Sequence, residues 1–185
     1  MKKFSLLSVW ATLCILVSCQ QAPKEPAASA TADTTKKEEA KTEPNISYPY
    51  TAMYTSSFEL GDPRHSKTVL DIWKAWEGNK LAETKDSWAD SVSFDFGDGS
   101  SFKGSRDSAL AMGTKERSGY TNVVDSVVAW IPLRTKETKE DWVLIWADEY
   151  RTQKNGKKIS LSLHEGWQLK NGKVASVFQF SKPKK

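Results

Sequence analysis

The residues best suited to do chemistry in this sequence are a carboxylate and the aromatic side chains around it. Trp142, Leu144, Trp146, Asp148 and Tyr150 recur at every second position, the spacing that places side chains on one face of a β-strand. If that face lines a cavity, burial would raise the pKa of Asp148 and make it a candidate general base.

A histidine in the following strand could complete this site. His164 is the only histidine within the predicted strands, and it lies one hairpin beyond Asp148. It could therefore pair with Asp148 or with Tyr150, and we predict Asp148 and His164 as a catalytic acid–base pair. The alternative interpretation places Asp148 at the solvated end of its strand and His164 on an exposed face, where neither does chemistry.

Tryptophan is unusually frequent and supplies most of the predicted ligand-binding residues. The chain has eight tryptophans, and an aromatic wall suits a flat apolar ligand or a sugar ring. In the alternative interpretation the large rings fill the core and use their indole nitrogens for hydrogen bonds. The predicted ligand-binding residues are Trp88, Trp142, Trp146, Tyr150 and Trp167.

Patterns typical of metal or cofactor sites are not found in the sequence. The Asp98-Gly99 turn suggests calcium at first, but Arg106 stands where the bidentate glutamate of a calcium loop would be. Gly97 and Gly99 connect two predicted strands without a helix directly after them, so they do not form a phosphate-binding loop. We predict no metal and no cofactor.

The amino terminus predicts export and a lipid anchor. Two lysines precede an apolar run over residues 4–17, which is too short for a spanning helix of ~20 residues. The run ends in Leu16-Val17-Ser18-Cys19, which resembles the lipobox of bacterial lipoproteins. The resemblance implies that residues 1–18 are a signal peptide and that Cys19 carries the lipid. The alternative is an ordinary secretory signal with a chance cysteine.

Composition divides the remaining chain into a tether and a domain. Residues 20–45 contain no large apolar side chain, so we predict a disordered tether over 19–45 and one domain over 46–185. Without Lys2 and Lys3, 25 of the 27 basic residues remain against 23 acidic ones, so the net charge falls from +4 to +2. This balance predicts no nucleic-acid partner and no strong attraction to anionic lipid.

The periodicity of the domain predicts helices first and strands afterwards. Helices are expected over 66–77 with Ser66 as N-cap, after Asn79, and from Ser105 to near Gly119, with a strand over 92–96 between the last two. Strands are then expected over 120–134, 141–153, 157–170 and 173–181. The Asn155-Gly156 and Asn171-Gly172 pairs predict the last two hairpins. The fold class is therefore α+β, with helices on one face of a curved, mainly antiparallel sheet.

This order of elements resembles the nuclear transport factor 2-like superfamily, in particular its SnoaL-like branch. The resemblance rests on Thr68–Trp76 at the first helix, on Phe102-Lys103-Gly104 before the third helix, and on His164–Val174 at the last hairpin. It implies a cone-shaped fold with three amino-terminal helices and one pocket, and often a homodimer through the outer sheet face. It does not imply one chemistry, because members include isomerases, dehydratases, cyclases and binders.

Three functional hypotheses follow. The first is a lipoprotein tethered in the cell envelope, facing the periplasm or the exterior, with membrane lipid bound through Cys19 and a small apolar or aromatic ligand in the domain. The second is an isomerase, dehydratase or cyclase that uses Asp148 and His164. The third is an interaction or assembly module. A pocket with convergent titratable groups favours the enzyme, a pocket of rings and hydroxyls favours the binder, and a filled core favours the module.

Overall fold

The computed structural model describes residues 46–184. The predicted signal peptide, the lipidation of Cys19 and the predicted tether lie outside these residues. None of the helices within 46–184 has the length and apolar character that a membrane crossing requires.

The described residues form three helical segments and seven strands. In chain order these are β1 (Phe58–Leu60), α1 (Pro63–Glu77), a 3₁₀ helix (Leu81–Ser87), β2 (Trp88–Phe96), β3 (Ser101–Ser105), α2 (Arg106–Arg117), β4 (Tyr120–Thr135), β5 (Asp141–Gln153), β6 (Lys158–Lys170) and β7 (Lys173–Pro183). The strands make one sheet in the order β1-β4-β5-β6-β7-β2-β3.

The four long strands confirm the predicted meander. Successive pairs from β4 to β7 are antiparallel. Gly156, Asn171 and Gly172 take positive φ angles of 84°, 53° and 74° at the hairpin turns, a conformation that Asn and Gly adopt at little cost. The sequence did not predict β1, a strand of three residues that are all exposed. It also did not predict the parallel pairing of β2 with β7.

The first helix begins earlier than predicted because a better cap precedes it. The Asp62 carboxylate accepts a hydrogen bond from the Arg64 backbone N–H, and Pro63 occupies the first turn, where its missing N–H costs nothing. Ser66 is therefore buried inside α1 and does not cap it. Asn79 also caps no helix: it has a φ of 57° just beyond the end of α1. The helix predicted from Ser105 is α2, and Ser105 is its N-cap.

The core lies between the helices and one face of the sheet, here called the inner face. Val69 and Ile72 of α1 are buried in the same cluster as Val143, Ile145 and Ala147 of β5. These three β5 residues alternate along the strand, so their face is the one that the helices cover. The predicted α+β class, with helices packed on one face of a mainly antiparallel sheet, is confirmed.

Candidate functional site

A cavity of about 670 Å³ lies between the helices and the inner face. This volume is within the range of small-molecule sites, which run from ~300 to ~1,000 Å³. Six aromatic residues line it: Trp73, Trp76, Trp88, Phe94, Phe96 and Trp167. Its charged and amide side chains are Asp98, Glu116, Glu149, Arg151, Glu165 and Gln179.

Glu165 is a deeply buried carboxylate of the cavity wall, with a relative exposure of 3%. The indole Nε1 atoms of Trp73 and Trp167 donate to its Oε2 at 3.0 and 2.8 Å, and the Gln179 amide donates to its Oε1 at 2.5 Å. Burial raises the pKa of Glu165 to about 7, and the charge of Glu149 adds to the rise, although the three hydrogen bonds oppose it. Glu165 can therefore gain or lose a proton near neutral pH.

Glu149 is the second buried carboxylate of the cavity, with a relative exposure of 2%. The Trp76 indole donates to its Oε2 at 2.5 Å, and Nε of Arg151 donates to its Oε1 at 2.5 Å. The Arg151 guanidinium also lies over the rings of Trp76 and Tyr120, 5.5 and 5.0 Å from their centroids. Glu149 and Arg151 thus form a compensated ion pair that is fixed by aromatic neighbours.

A third acidic side chain stands beside Glu149, outside the cavity lining. Asp125 of β4 pairs with Glu149 across the β4–β5 ladder. Both Asp125 carboxyl oxygens are buried, and neither has a hydrogen-bond partner among residues 46–184. Burial, followed by the charges of Glu149 and Glu77, raises the pKa of Asp125 to about 8. The surroundings of Asp125 therefore favour its neutral form.

The structure places Asp148 on the opposite face of the sheet, here called the outer face, which corrects the predicted rise of its pKa. Ser162 Oγ donates to Asp148 Oδ1 at 2.9 Å, and Lys184 Nζ donates to Oδ2. These hydrogen bonds, with that from Lys184 the larger influence, hold the pKa of Asp148 below its ordinary value. Asp148 lies on the outer face because successive side chains of β5 point to opposite faces, and Glu149, the next residue, faces the cavity.

His164 also lies on the outer face and does not pair with Asp148 or Tyr150. Its register partner is Trp146, and the two rings stack with centroids 4.9 Å apart and planes 17° apart. Asp148 is instead opposite Ser162. The predicted acid–base pair therefore does not form at the cavity, because both side chains point away from it.

The predicted ligand-binding aromatics divide between the two faces. Trp88 and Trp167 line the cavity, with ring centroids 5.8 Å apart. Trp142, Trp146 and Tyr150 are on the outer face, as their positions between the buried residues of β5 require. The Trp142 indole, for example, donates to the Tyr54 hydroxyl at 3.1 Å.

Sequence reasoning missed the polar residues of the cavity, although a usable signal was present. The β5 row that precedes Glu149 is Val143, Ile145 and Ala147, all aliphatic residues. Such a row is typical of the strand face that packs against helices, whereas the tryptophan row drew attention to the other face. If the Val143 row is taken as the inner face, Glu165 is placed on that face too, because its register partner is Ile145.

Within residues 46–184, His, Cys, Asp and Glu side chains nowhere gather in threes in a way that could hold a metal ion. The hydrogen-bond partners of Glu165 and Glu149 are nitrogen donors of the protein, which hold both carboxylates in place in the cavity wall.

At the level of sequence, the chain matches no protein-family model and no curated protein. Solved structures are similar in fold. A SnoaL-like protein from Jannaschia sp. CCS1 is 14% identical with a TM-score of 0.54, and the match covers 65% of this chain and 87% of that one.

Two further structures extend the comparison. A LEH-like epoxide hydrolase from M. tuberculosis is 7% identical with a TM-score of 0.53, covering 65% of this chain and 84% of that one. A nuclear transport factor 2-like protein of unknown function from Burkholderia pseudomallei K96243 is 15% identical with a TM-score of 0.51, covering 63% and 88%. At these identities the similarity concerns the fold alone. Together with the helices packed on the seven-stranded sheet, it shows that the domain has the nuclear transport factor 2-like fold.

Proposed function

We propose that this chain is a lipid-anchored envelope protein whose domain binds a small, largely apolar ligand in the cavity. The observation that carries the proposal is the cavity itself, about 670 Å³ with six aromatic residues in its wall. Burial of apolar ligand surface against such rings contributes on the order of 25 cal/mol per Å². A module that works only through its outer surface needs no cavity of this size.

The buried polar groups of the cavity would orient a bound ligand. Glu165 and Gln179 are joined by a hydrogen bond and both line the cavity. A ligand with one polar group at the end of an apolar body could place that group at Glu165 and its body against the rings. Few polar groups in a mostly apolar site are typical of small-molecule pockets.

Binding is testable with N-phenyl-1-naphthylamine, a neutral fluorophore that brightens in apolar surroundings. Residues 46–185 should bind it, and Ala109→Phe, which adds a ring at a buried position of the cavity lining, should weaken binding by about tenfold or more. Ala129→Phe is the matched control, because Ala129 is exposed on β4 and outside the lining. Melting curves verify that both variants fold. Equal loss in both variants, or no binding by the wild type, would contradict the proposal.

A second candidate function is acid–base catalysis on the bound ligand, as in an isomerase, dehydratase or cyclase. It is favoured by one observation: Glu165 has a pKa of about 7 in the cavity wall, which suits proton transfer at neutral pH. Binding remains the first proposal because the oxygens of Glu165 and Glu149 already accept hydrogen bonds from protein donors.

Catalysis is testable by NMR as deuterium exchange at the α-carbon of 2-tetralone, a flat apolar ketone, in D₂O. If Glu165 is the base, Glu165→Gln should slow the protein-dependent exchange by ~10²–10⁴-fold. Asp148→Asn should leave it unchanged, since Asp148 is on the outer face. An exchange rate that does not depend on Glu165 would reject this candidate.

The anchor is proposed from the lipobox-like sequence that ends at Cys19. Cys19→Ala should move the protein from the detergent phase to the aqueous phase in a detergent-partitioning experiment on cell extracts. Cys14→Ala is the matched control, because Cys14 belongs to the proposed signal peptide and its loss should leave the partitioning unchanged. Equal partitioning of wild type and Cys19→Ala would contradict lipidation.

A homodimer through the outer face is proposed on the resemblance and is supported by apolar side chains exposed there. Trp146 and Phe180 are 38% and 59% exposed, and they flank His164 on neighbouring strands. Sedimentation of residues 46–185 is the check: Phe180→Glu should shift a dimer to a monomer. A monomeric wild type at micromolar concentration would contradict the proposal.

A further inference from the structure

The charged groups that line the cavity are unbalanced in favour of acids. Among residues 46–184, Asp98, Glu116, Glu149 and Glu165 line it, and Arg151 is the one basic side chain in the lining. Arg151 is already committed: it donates to Glu149, and its guanidinium lies 3.7 Å from Glu116. A ligand in the cavity therefore meets excess negative charge, which disfavours anions.

The rings of the cavity wall strengthen the preference for positive charge. Trp73, Trp88 and Trp167 line the cavity, beside Trp76, whose ring already has the Arg151 guanidinium over it. The face of an aromatic ring carries negative electrostatic potential, and tryptophan attracts cations best. The same rings can therefore stabilise both an apolar body and a cationic head.

The hydrogen-bonding capacity of Glu165 narrows the kind of cation. A carboxylate has about four acceptor positions, and two indoles and one amide already occupy three of those on Glu165. Glu149 likewise accepts from Trp76 and Arg151. Glu165 therefore offers charge but room for only about one further hydrogen bond. A primary ammonium brings three N–H donors, more than this one position accepts, whereas a tertiary ammonium brings one and a quaternary ammonium none.

We propose that the ligand of the cavity is an organic cation, a tertiary or quaternary ammonium on an apolar body. This inference rests on the proposed ligand-binding function and names its ligand class. The cationic head would lie near Glu165 and the apolar body along the aromatic wall.

Proton release from Glu165 should accompany binding. Burial holds the pKa of Glu165 at about 7, and a neighbouring cation favours the ionised form. The other titratable groups that face the cavity are Glu149 and Arg151 of β5, Glu116 of α2 and Asp98 before β3. Asp125 is the cross-strand neighbour of Glu149, and its pKa is about 8. Its ionisation at higher pH adds further negative charge and should also increase the affinity for a cation. Affinity for a cation should therefore rise with pH.

The test compares two ligands of nearly identical shape, phenyltrimethylammonium and tert-butylbenzene, by calorimetry on residues 46–185 at pH 8. We expect the cation to bind about tenfold more tightly than its neutral isostere, and we expect the preference to shrink at pH 5.5. Equal or tighter binding of the neutral ligand would overturn the inference and leave the proposed binding function intact. If neither ligand binds, both proposals fail.

Three variants locate the charge that is responsible. Glu165→Gln should reduce the preference for the cation to less than about threefold while keeping the affinity for tert-butylbenzene. Glu116→Gln, at a carboxylate that is 58% exposed, should reduce the preference less and keeps the test valid if Glu165→Gln unfolds. Asp148→Asn makes the same charge change on the outer face and should leave the preference unchanged. A preference that survives in both cavity variants, or that Asp148→Asn removes, would overturn the inference.

Discussion

The two faces of the sheet treat the same chemical group in opposite ways. Glu165 on the inner face is removed from water, and its pKa rises to about 7. Asp148 on the outer face accepts hydrogen bonds from Lys184 and Ser162, and its pKa falls below the ordinary value. The two carboxylates lie on neighbouring strands. The difference shows that the surroundings decide which of them can exchange protons near neutral pH: burial raises the pKa of Glu165, whereas hydrogen bonds lower that of Asp148.

Tryptophan shows the same contrast in packing. Trp167 on the inner face is 5% exposed and donates to Glu165, whereas Trp146 on the outer face is 38% exposed and stacks on His164. Free energy from apolar burial should therefore be concentrated on the inner face.

The largest expected effect tests this packing difference. Trp167→Ala should lower the free energy of unfolding by ~3–5 kcal/mol, because it leaves a void and removes an indole donor from Glu165. Trp146→Ala should cost only ~1–2 kcal/mol, since much of that ring is solvated. Urea unfolding followed by far-UV circular dichroism measures both. Equal losses would show that the outer face is packed as tightly as the inner one.

The next effect concerns the dependence of stability on pH. Because the pKa of Glu165 is raised from 4.5 to about 7 in the folded protein, the folded state holds that proton more tightly. Stability should therefore fall as the pH rises from about 4.5 to about 7, by on the order of 3 kcal/mol. In Glu165→Gln this part of the fall should be absent, and rotation of the Gln179 amide can restore the hydrogen bonding.

Unfolding by urea at a series of pH values, expressed as the difference between variant and wild type, measures the effect. Asp148→Asn is the control, and its difference from wild type should be flat over the same window. A flat difference for Glu165→Gln as well would mean that Glu165 is ionised throughout that window.

A smaller effect is expected at Asp125, where removal of a charged group should stabilise the protein. Its pKa is raised from 3.8 to about 8, so its ionisation also destabilises the fold as the pH rises from about 4 to about 8. Asp125→Asn should make the protein more stable at pH 9, by ~2 kcal/mol after allowance for partial solvent screening. Asp95→Asn, at an exposed position of β2, is the matched control. Destabilisation by Asp125→Asn at pH 9 would contradict the proposed burial of the charge.

The smallest effect belongs to the outer face. In NMR titrations the carboxyl carbon of Asp148 should report a pKa below 3.8, and Lys184→Met should move that pKa upward towards the ordinary value. The stability supplied by this contact is present above pH 3.8 and is lost as the pH falls through the lowered pKa. Lys173→Met, at the far end of β7, should leave the titration unchanged. A pKa of Asp148 above 3.8 in the wild type would reverse the comparison of the faces.

Local sequence signals predicted much of the secondary structure. Period-two patterning and the Asn-Gly turns located β4 to β7, because both signals act over a few residues. The short strand β1 was not predicted, because three residues are too few to show an alternating pattern. Its partner is β4, which is distant in sequence. The parallel pairing of β2 with β7 is likewise a long-range choice.

The sequence by itself determined that Trp142, Trp146 and Asp148 share one face of β5 and that Glu149 lies on the other, because side chains alternate along any strand. Only the tertiary structure decided which face α1 and α2 would cover. That choice depends on the summed burial of Val143, Ile145 and Ala147 against helices distant in sequence. Alternation along one strand does not make the choice, although the aliphatic row favours the covered face. Once made, it placed Glu165 and Glu149 at the cavity and Asp148 and His164 in contact with solvent.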